Sequence, residues 1–279
     1  MEKPYSCNIS QKQKGKFAVR LRAVGGDLTV KQLQAIAVVA EKYGAGGIHL
    51  TTRQGVEIHE VSAKNLKAAQ AELELAGLKM GAEGNRVRIV MACPGNATCR
   101  FGSINTKSLA AELDRRYFRM TMPYKVKMGV TGCPNNCGKA READIGVMGV
   151  RIPRWESEGC IDCNICVEMC APKAIHEAHG QYIRDAESCI GCSACTVRCP
   201  KDCWKTESVG YAVLMGGTLG KRPRLGTVVA HYLSSEEEVL ALIDRGVEYF
   251  KKNGQKRERL GHMMDRMGTD KVMAEILAS

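Results

Sequence analysis

The chain has 279 residues and a formal net charge of +11. No stretch approaches the roughly 18 consecutive apolar residues of a membrane helix, and MEKPYSCNISQKQKGK, at the start, lacks the apolar segment of a signal peptide. We therefore expect a cytoplasmic protein. Aromatic residues make up only 5% of the chain and the basic residues are dispersed, which disfavours base stacking and argues against nucleic-acid binding.

The first part of the chain, residues 1–80, alternates between strand and helix patterns. FAVRLRAVGG is typical of a strand. IHLTTRQGVEIHEV is also typical of a strand, and it carries Arg53. Between them LTVKQLQAIAVVAEKYG has helical periodicity, with Thr29 and Gln32 at capping-box spacing and Gly44 at the expected stop. NLKAAQAELELAG predicts a second helix. This order favours a ferredoxin-like α+β unit.

Two cysteine pairs follow, separated by a helix that the pattern predicts near residues 106–118. Cys93 and Cys99 are six positions apart in MACPGNATCRFG, and Cys133 and Cys137 form C-x3-C in GCPNNCG. Four such thiolates fit a [4Fe–4S] cluster. On spacing alone a structural zinc site is the alternative.

The stretch before the second pair, PYKVKMGVTGC, alternates between basic and apolar residues. In a strand this alternation directs Lys125 and Lys127 to one face and Val126 and Met128 to the other. Two ammonium groups on one face suggest an anion-binding surface that leads directly into the cysteine loop.

Nine of the fourteen cysteines lie within residues 160–203. Eight of them form two C-x2-C-x2-C-x3-C runs, the pattern of bacterial two-cluster ferredoxins, in which the fourth cysteine of each run binds the other cluster. One predicted [4Fe–4S] site is therefore Cys160, Cys163, Cys166 and Cys199, and the other is Cys189, Cys192, Cys195 and Cys170. Zinc sites usually have isolated C-x2-C pairs, so two C-x2-C-x2-C triplets fit zinc poorly. Cys203 and Cys7 remain, and we interpret them as small core residues.

The cysteine-rich segment interrupts a larger unit, with a boundary expected at Ile152-Pro153-Arg154. After it, Ser235 and Glu238 have capping-box spacing and begin a helix expected to reach about Asn253. A methionine-containing helical tail follows. The predicted units are a ferredoxin-like half over 1–80, a cofactor domain over 81–153 and 207–279, and an inserted two-cluster ferredoxin domain over 154–206.

The motifs together resemble those of the sirohaem sulfite and nitrite reductases. LTTRQGVEIHEV resembles the T-T-R-Q strand of that family, GNRVRIVMAC the strand whose arginine enters the active site, and GYAVLMGGTLGKRPRLG its late glycine-rich stretch. The inserted ferredoxin segment makes the layout most similar to anaerobic, dissimilatory-type sulfite reductase subunits. The expected fold is α+β, a ferredoxin-like repeat plus a sirohaem-binding α/β domain with the insert.

The resemblance implies roles for individual residues. In that family one cubane shares a cysteine sulfur with the sirohaem iron, and Cys137 occupies that position. The anion-binding residues correspond to Arg53, Arg88, Lys125 and Lys127, with Arg86 as the rival for Arg88. Residues at sirohaem-contacting positions are Cys137, Arg53, Gln54, Gly216, Gly217 and Arg222. This chain departs from some members in having Glu57 after the T-T-R-Q motif. His49 and His59 are expected to be structural.

The implied activity is the six-electron reduction of sulfite to sulfide at a sirohaem–[4Fe–4S] centre, with three [4Fe–4S] clusters in all. Two alternatives stay open: reduction of nitrite to ammonia, and a non-catalytic electron-transfer subunit. No glycine-rich nucleotide-binding motif follows a strand, so the electrons are expected from another protein. In members of that family with two repeats, the substrate cations and the cluster cysteines come from different repeats. This chain has one repeat that carries both sets, so the resemblance implies a homodimer or a higher multiple.

The basic charge is itself expected to match the cofactors. Three cubanes with four thiolates each carry about −6, and sirohaem carries about eight carboxylates. These charges exceed the +11 of the chain by about three. Neutralisation of cofactors therefore accounts for the positive charge without a nucleic-acid partner.

Overall fold

The computed structural model describes residues 7–278. An antiparallel sheet near the start of the chain has the order β1-β2-β4-β3, and helices α1 and α2 pack on it. Its elements are β1 (Asn8–Ser10), β2 (Lys16–Leu21), α1 (Val30–Tyr43), β3 (Ile48–Leu50), β4 (Val56–Ser62) and α2 (Leu66–Leu75). The apolar positions of these elements form a separate core, in which Ile36, Ile58 and Leu73 are fully buried.

The ends of α1 and α2 follow from short-range chemistry. Thr29 and Gln32 make the predicted capping box. Gly44 follows α1 as predicted, but with φ −102° rather than in the left-handed region. A Cβ there would lie 2.8 Å from the carbonyl oxygen of His59, so close packing requires the glycine. Gly77 has φ +75° and closes α2 in a Schellman motif, in which Leu78 N–H donates to the Leu73 oxygen.

A mixed sheet with the order β11-β10-β7-β6-β5 forms the larger unit. The pairs β5–β6 and β6–β7 are parallel, and β7–β10 and β10–β11 are antiparallel. Its elements are β5 (Met91–Ala92), α3 (Thr106–Tyr117), β6 (Met128–Thr131), β7 (Ile145–Trp155), β10 (Trp204–Met215), β11 (Thr227–Leu233), α6 (Glu236–Asn253), α7 (Leu260–Met267) and α8 (Thr269–Ala278). The helix expected near residues 106–118 is thus confirmed.

The carboxyl-terminal helices close the core of this unit. Ser235 and Glu238 make the predicted capping box at the start of α6, and Gly254 follows its last residue as expected. Met263 and Met264 on α7 are fully buried in the core cluster, so the methionines of the tail are packing residues. Among the described residues no helix combines the length and the apolarity that a membrane crossing requires.

The cysteine-rich segment emerges between β7 and β10. These strands pair over their whole length, from Ile145 opposite Met215 to Trp155 opposite Trp204. Strand β7 therefore continues through Pro153, and the expected boundary at 152–154 lies inside it. Between the two strands lie α4 (Ile165–Glu168), the hairpin of β8 (Ile175–Ala178) and β9 (Gln181–Arg184), and α5 (Ala194–Arg198).

Candidate active site

A cavity of about 260 Å³ lies between the amino-terminal sheet and the larger unit. All four cations that the sequence analysis selected line it: Arg53, Arg88, Lys125 and Lys127. Arg86, the rival for Arg88, is not among the described lining residues. The cavity therefore gathers into one place basic side chains that are far apart in the sequence.

Arg53 reaches the cavity from a turn, and the prediction that it lies within a strand is wrong. β3 ends at Leu50 and β4 begins at Val56. The Thr51 hydroxyl accepts hydrogen bonds from the N–H groups of Arg53 and Gly55, at 3.3 and 3.0 Å, and this closes the turn. The Arg53 guanidinium donates to the Ile89 oxygen at 2.9 Å, which fixes the side chain against the next segment.

Gln54, beside Arg53, joins the two units. Its backbone is left-handed, with φ +59°. Its side-chain amide donates to the Ala92 oxygen at 2.7 Å and accepts from the Ala92 N–H at 3.0 Å. The amide thus pairs with β5 as a neighbouring strand would. Both its hydrogen-bonding groups have protein partners, so the structure gives Gln54 a role in docking the turn.

The two lysines precede β6, and the predicted alternation is confirmed. Val126 and Met128 are fully buried, while Lys125 and Lys127 are half-buried and line the cavity. Burial, followed by the nearby charges of Arg53, Arg259 and Lys125, lowers the pKa of Lys127 to about 8.

Arg53 and Arg88 have lowered pKa values, and burial is the main cause for both. Burial lowers the pKa of Arg53 to about 10, Asp144 opposes this, and Arg88 adds to it. Burial and then Arg20 lower the pKa of Arg88, whose guanidinium donates to the backbone oxygens of Ala82 and Gly84. The cavity is consequently a desolvated site with excess positive charge, and such a site stabilises an anion.

Arg20, which the sequence analysis did not select, also shapes this cavity. Arg20 on β2 lines it, and its guanidinium donates to Glu57 at 2.6 Å. Glu57 also lies 3.0 Å from His59, so its carboxylate is engaged by protein groups. Arg20 could have been predicted from the sequence. It alternates with apolar residues in the FAVRLRAVGG strand, and this alternation places it on the face of the strand opposite to the core.

Asp144 lies behind the lysines and is fully buried. Its carboxylate accepts from the Lys127 backbone N–H at 2.7 Å and forms a two-point ion pair with Arg259, at 2.8 and 2.6 Å. Charge pairs buried in this way are held together by their hydrogen bonds. Nothing in the local sequence marks this aspartate, since its partner lies 115 positions away.

Cys93, Cys99, Cys133 and Cys137 come from two loops that pack on each other at the carboxyl ends of β5 and β6. The Gly132 N–H donates to the Cys93 sulfur at 3.1 Å. Burial raises the pKa of the Cys133 thiol, the Asn135 N–H opposes this, and the other three thiols raise it further. Cys93 and Cys133 are buried, whereas Cys99 and Cys137 are exposed. The structure therefore brings this set together with one open side.

Close packing of glycines brings these loops together. A Cβ on Gly132 would lie 2.9 Å from the Gly95 Cα and 3.1 Å from the Gly102 Cα. Gly95 itself has φ +58°. Side chains at these positions would push the two loops apart.

Within the insert the four thiols of the first predicted set lie together. Cys160, Cys163, Cys166 and Cys199 line one small cavity, and Cys203 lies in its wall. In the other group, burial raises the pKa of Cys192, as do the neighbouring thiols of Cys170 and Cys189. In residues 7–278 no three His, Cys, Asp or Glu side chains converge on a point that would hold a single metal ion.

The remaining predicted residues lie elsewhere. Gly217 packs against backbone, since a Cβ there would lie 2.3 Å from the Arg141 oxygen, whereas a Cβ on Gly216 would meet the side chains of Arg224 and Met264. The guanidinium of Arg224 donates to the Gly216 oxygen at 3.0 Å. Arg222 is exposed and lines a separate cavity of about 500 Å³ beside α7. Cys7 is buried in the amino-terminal core, as expected of a small core residue.

Comparison with known proteins agrees with this architecture. A family model described as the nitrite and sulphite reductase 4Fe-4S domain matches residues 83–279, and one described as the nitrite/sulfite reductase ferredoxin-like half domain matches residues 9–76. A crystal structure of dissimilatory sulfite reductase I superposes with a TM-score of 0.79 at 22% identity, covering 94% of this chain and 69% of that chain.

Several relatives in sequence are sulfite reductases by name. The coenzyme F420-dependent sulfite reductase of Methanocaldococcus jannaschii is 33% identical over 271 residues, which are 96% of this chain and 43% of that protein. An anaerobic sulfite reductase subunit of Salmonella typhimurium is 31% identical over 282 residues, covering 92% of this chain and 82% of that subunit. The chain thus spans less than half of the first relative and most of the second.

Proposed function

The chain belongs to the nitrite and sulfite reductase family, and from that premise we propose that it is the sirohaem-binding catalytic chain of a sulfite reductase. The single observation that supports this most strongly is the cavity that Arg53, Arg88, Lys125 and Lys127 line together. A cluster of desolvated cations has no structural benefit of its own, because like charges repel. Binding of an oxyanion in this cavity relieves that repulsion.

The cysteines fit the iron–sulfur groups of this family. We assign Cys93, Cys99, Cys133 and Cys137 to a [4Fe–4S] cluster, with the exposed Cys137 as the sulfur shared with sirohaem. A cubane binds its four thiolates through different irons, so its ligands are more widely spaced than those of one zinc ion. When bound, sirohaem and this cluster supply a site for the substrate and two electrons beside it.

The cationic side chains hold the substrate and supply protons. Arg53, fixed by its hydrogen bond to the Ile89 oxygen, presents a guanidinium to one side of the anion. Lys127 has a pKa of about 8, so its ammonium releases a proton readily near neutral pH. The same charges stabilise oxygen as it leaves as hydroxide or water. Sulfite reduction requires this combination of anion binding and repeated proton delivery.

The insert is proposed to deliver the electrons. We assign Cys160, Cys163, Cys166 and Cys199 to one [4Fe–4S] cluster, and Cys189, Cys192, Cys195 and Cys170 to the other. The second group lies nearer to the active-site cysteines, because the buried hydroxyls of Ser193 and Ser103 are 3.4 Å apart. The first group, which includes the exposed Cys163, is the entry point for electrons from a donor protein.

A complete site is proposed to need two chains. Lys127 precedes β6 and Cys133 follows it, so the two are separated by about 20 Å of extended chain. Cations and cysteines that would hold one sirohaem and its substrate would have to lie closer together than this. Cations from one protomer and cysteines from its partner would meet this requirement in a homodimer.

The test is turnover by anaerobically purified protein with an artificial one-electron donor. We expect sulfite to yield sulfide, and nitrite to be reduced more slowly. Lys125→Ala and Lys127→Ala should abolish reduction and leave the haem absorption intact. Protein with full cofactor content that reduces neither anion would be an electron-transfer subunit, and the catalytic assignment would be wrong.

A further inference from the structure

Each of the two cysteine runs in the insert contains a hydrogen bond from a nearby backbone N–H to the sulfur of its last cysteine. The Ala174 N–H donates to the Cys170 sulfur at 3.2 Å, and the Cys203 N–H donates to the Cys199 sulfur at 3.2 Å. In each run the donor lies four residues after the last cysteine. The two halves therefore have this hydrogen bond in common.

They differ at the next residue, where a strand begins in each half. After the first run this residue is Ile175, at the start of β8, and after the second it is Trp204, at the start of β10. Both side chains are buried, with exposures of 5% and 2%. Isoleucine offers only apolar contact, whereas the indole carries an N–H donor. The two cluster environments are consequently unequal in hydrogen bonding.

The indole N–H of Trp204 has no hydrogen-bond partner among the described residues. A buried donor left unpaired costs about 1–3 kcal/mol. Unpaired groups of this kind are rare in proteins and call for a ligand or another function. Trp204 lines the cavity of the first thiol group, which consists of Cys160, Cys163, Cys166 and Cys199. A donor in that wall is positioned for an acceptor within the cavity.

The side chains that line this cavity together with the indole carry the four sulfurs of Cys160, Cys163, Cys166 and Cys199. The N–H dipole therefore stabilises negative charge on its side of the cavity. No protein oxygen or nitrogen competes for the donor within the described part of the chain.

We propose that the Trp204 N–H donates a hydrogen bond to sulfur of the cluster held by Cys160, Cys163, Cys166 and Cys199, and that it raises the reduction potential of this cluster above that of its neighbour. The proposal rests on the proposed function, because it requires both ferredoxin-type clusters.

The expected rise in reduction potential follows from the charge of the cluster. One-electron reduction makes the cluster more negative by one charge, and no bond forms or breaks. A hydrogen bond to a more negative sulfur is stronger, so the donor favours the reduced state. The first electron to enter the insert should therefore rest on the cluster beside Trp204.

Trp204→Phe tests this, since it removes the N–H and keeps an aromatic ring. In a potentiometric titration followed by electron paramagnetic resonance, we expect the reduction equilibrium of one ferredoxin-type cluster to weaken about tenfold, which is a fall of about 59 mV. The other cluster should be unchanged. Trp155→Phe is the matched control, because Trp155 lines the same cavity and should leave both potentials unaltered. Unchanged potentials in Trp204→Phe with full iron content would overturn the proposal.

A second measurement does not depend on the Trp204 variant. The chain has two tryptophans, so Trp155→Phe protein grown with nitrogen-15 indole is labelled only at Trp204. We expect a hyperfine coupling between that nitrogen and one reduced cluster. Its absence, when iron analysis shows both clusters present, would overturn the proposal. Iron analysis that shows no ferredoxin-type clusters would instead overturn the proposed electron route.

Discussion

Lys127 carries an ordinary ammonium group in an unusual environment. This group is held among Arg53, Arg259 and Lys125, and burial together with these charges brings its pKa to about 8. A lysine with an ordinary pKa holds its proton too tightly to donate it near neutral pH. The environment thus makes Lys127 both a binding group and an acid.

This pKa predicts the pH dependence of turnover. The protonated form predominates below pH 8, so kcat/KM for sulfite should be sustained there and fall as the pH rises through about 8. In Lys127→Arg the cation persists to higher pH, so this alkaline fall should disappear while kcat drops because a guanidinium donates protons poorly. The ionisation of sulfite itself is common to both profiles. Identical alkaline limbs in the two proteins would exclude Lys127 as the titrating group.

Asp144 accepts a hydrogen bond from the backbone N–H of Lys127 and places a negative charge near its ammonium group. Its negative charge raises the pKa of Lys127, so Asp144→Asn should move the alkaline limb of the pH profile to lower pH. The same change leaves Arg259 buried without its counter-charge and should lower the free energy of unfolding by about 3–5 kcal/mol. Chemical denaturation measures this loss. Adding Arg259→Leu to Asp144→Asn should recover part of the stability, and no recovery would mean that the pair is not the cause.

At the scale of elements, the two cysteine loops depend on how closely their backbones approach. Gly132→Ala places a Cβ 2.9 Å from the Gly95 Cα, and the loops have no flexible side chain there that could yield. We expect a loss of about 1–3 kcal/mol in stability and an iron content that is lower by up to about four atoms per chain. Gly47→Ala is the control, since a Cβ at Gly47 contacts nothing. Equal iron contents in the two variants would contradict this packing argument.

Some features of the helices and strands could be predicted from the sequence. Capping boxes at Thr29 and Ser235 were predictable because their two partners lie three residues apart. The alternation around Lys125 was predictable because a strand has a period of two. Arg53 was misplaced in a strand because the turn depends on a side-chain bond from the Thr51 hydroxyl, which strand periodicity does not encode.

Contacts between segments that are distant in the chain could not be predicted from the sequence alone. The pairing of Arg20 with Glu57 depends on the register of β2 against β4. The ion pair of Asp144 with Arg259 depends on how α7 packs on the sheet. The orientation of Trp204 toward the first thiol group depends on the β7–β10 ladder. Each of these is set by tertiary packing, whereas the cysteine spacing that predicts the clusters is local.

For the molecule as a whole, the separation of cations and cysteines along β6 predicts the assembly. Sedimentation of cofactor-loaded protein should give two chains per particle or a multiple of two. Mixing two inactive variants, Lys127→Ala and Cys137→Ala, should restore part of the activity, because a mixed dimer contains one site with both sets intact. A monomer with full sirohaem and full turnover would contradict the shared site.

The proposed function depends most on Cys93, Cys99, Cys133 and Cys137 sharing one cubane beside a tetrapyrrole. The most direct test is quantification of iron, labile sulfide, zinc and tetrapyrrole in anaerobically purified protein. Three cubanes and one macrocycle predict about thirteen irons, about twelve sulfides and one tetrapyrrole per chain. Stoichiometric zinc with no tetrapyrrole would contradict the account.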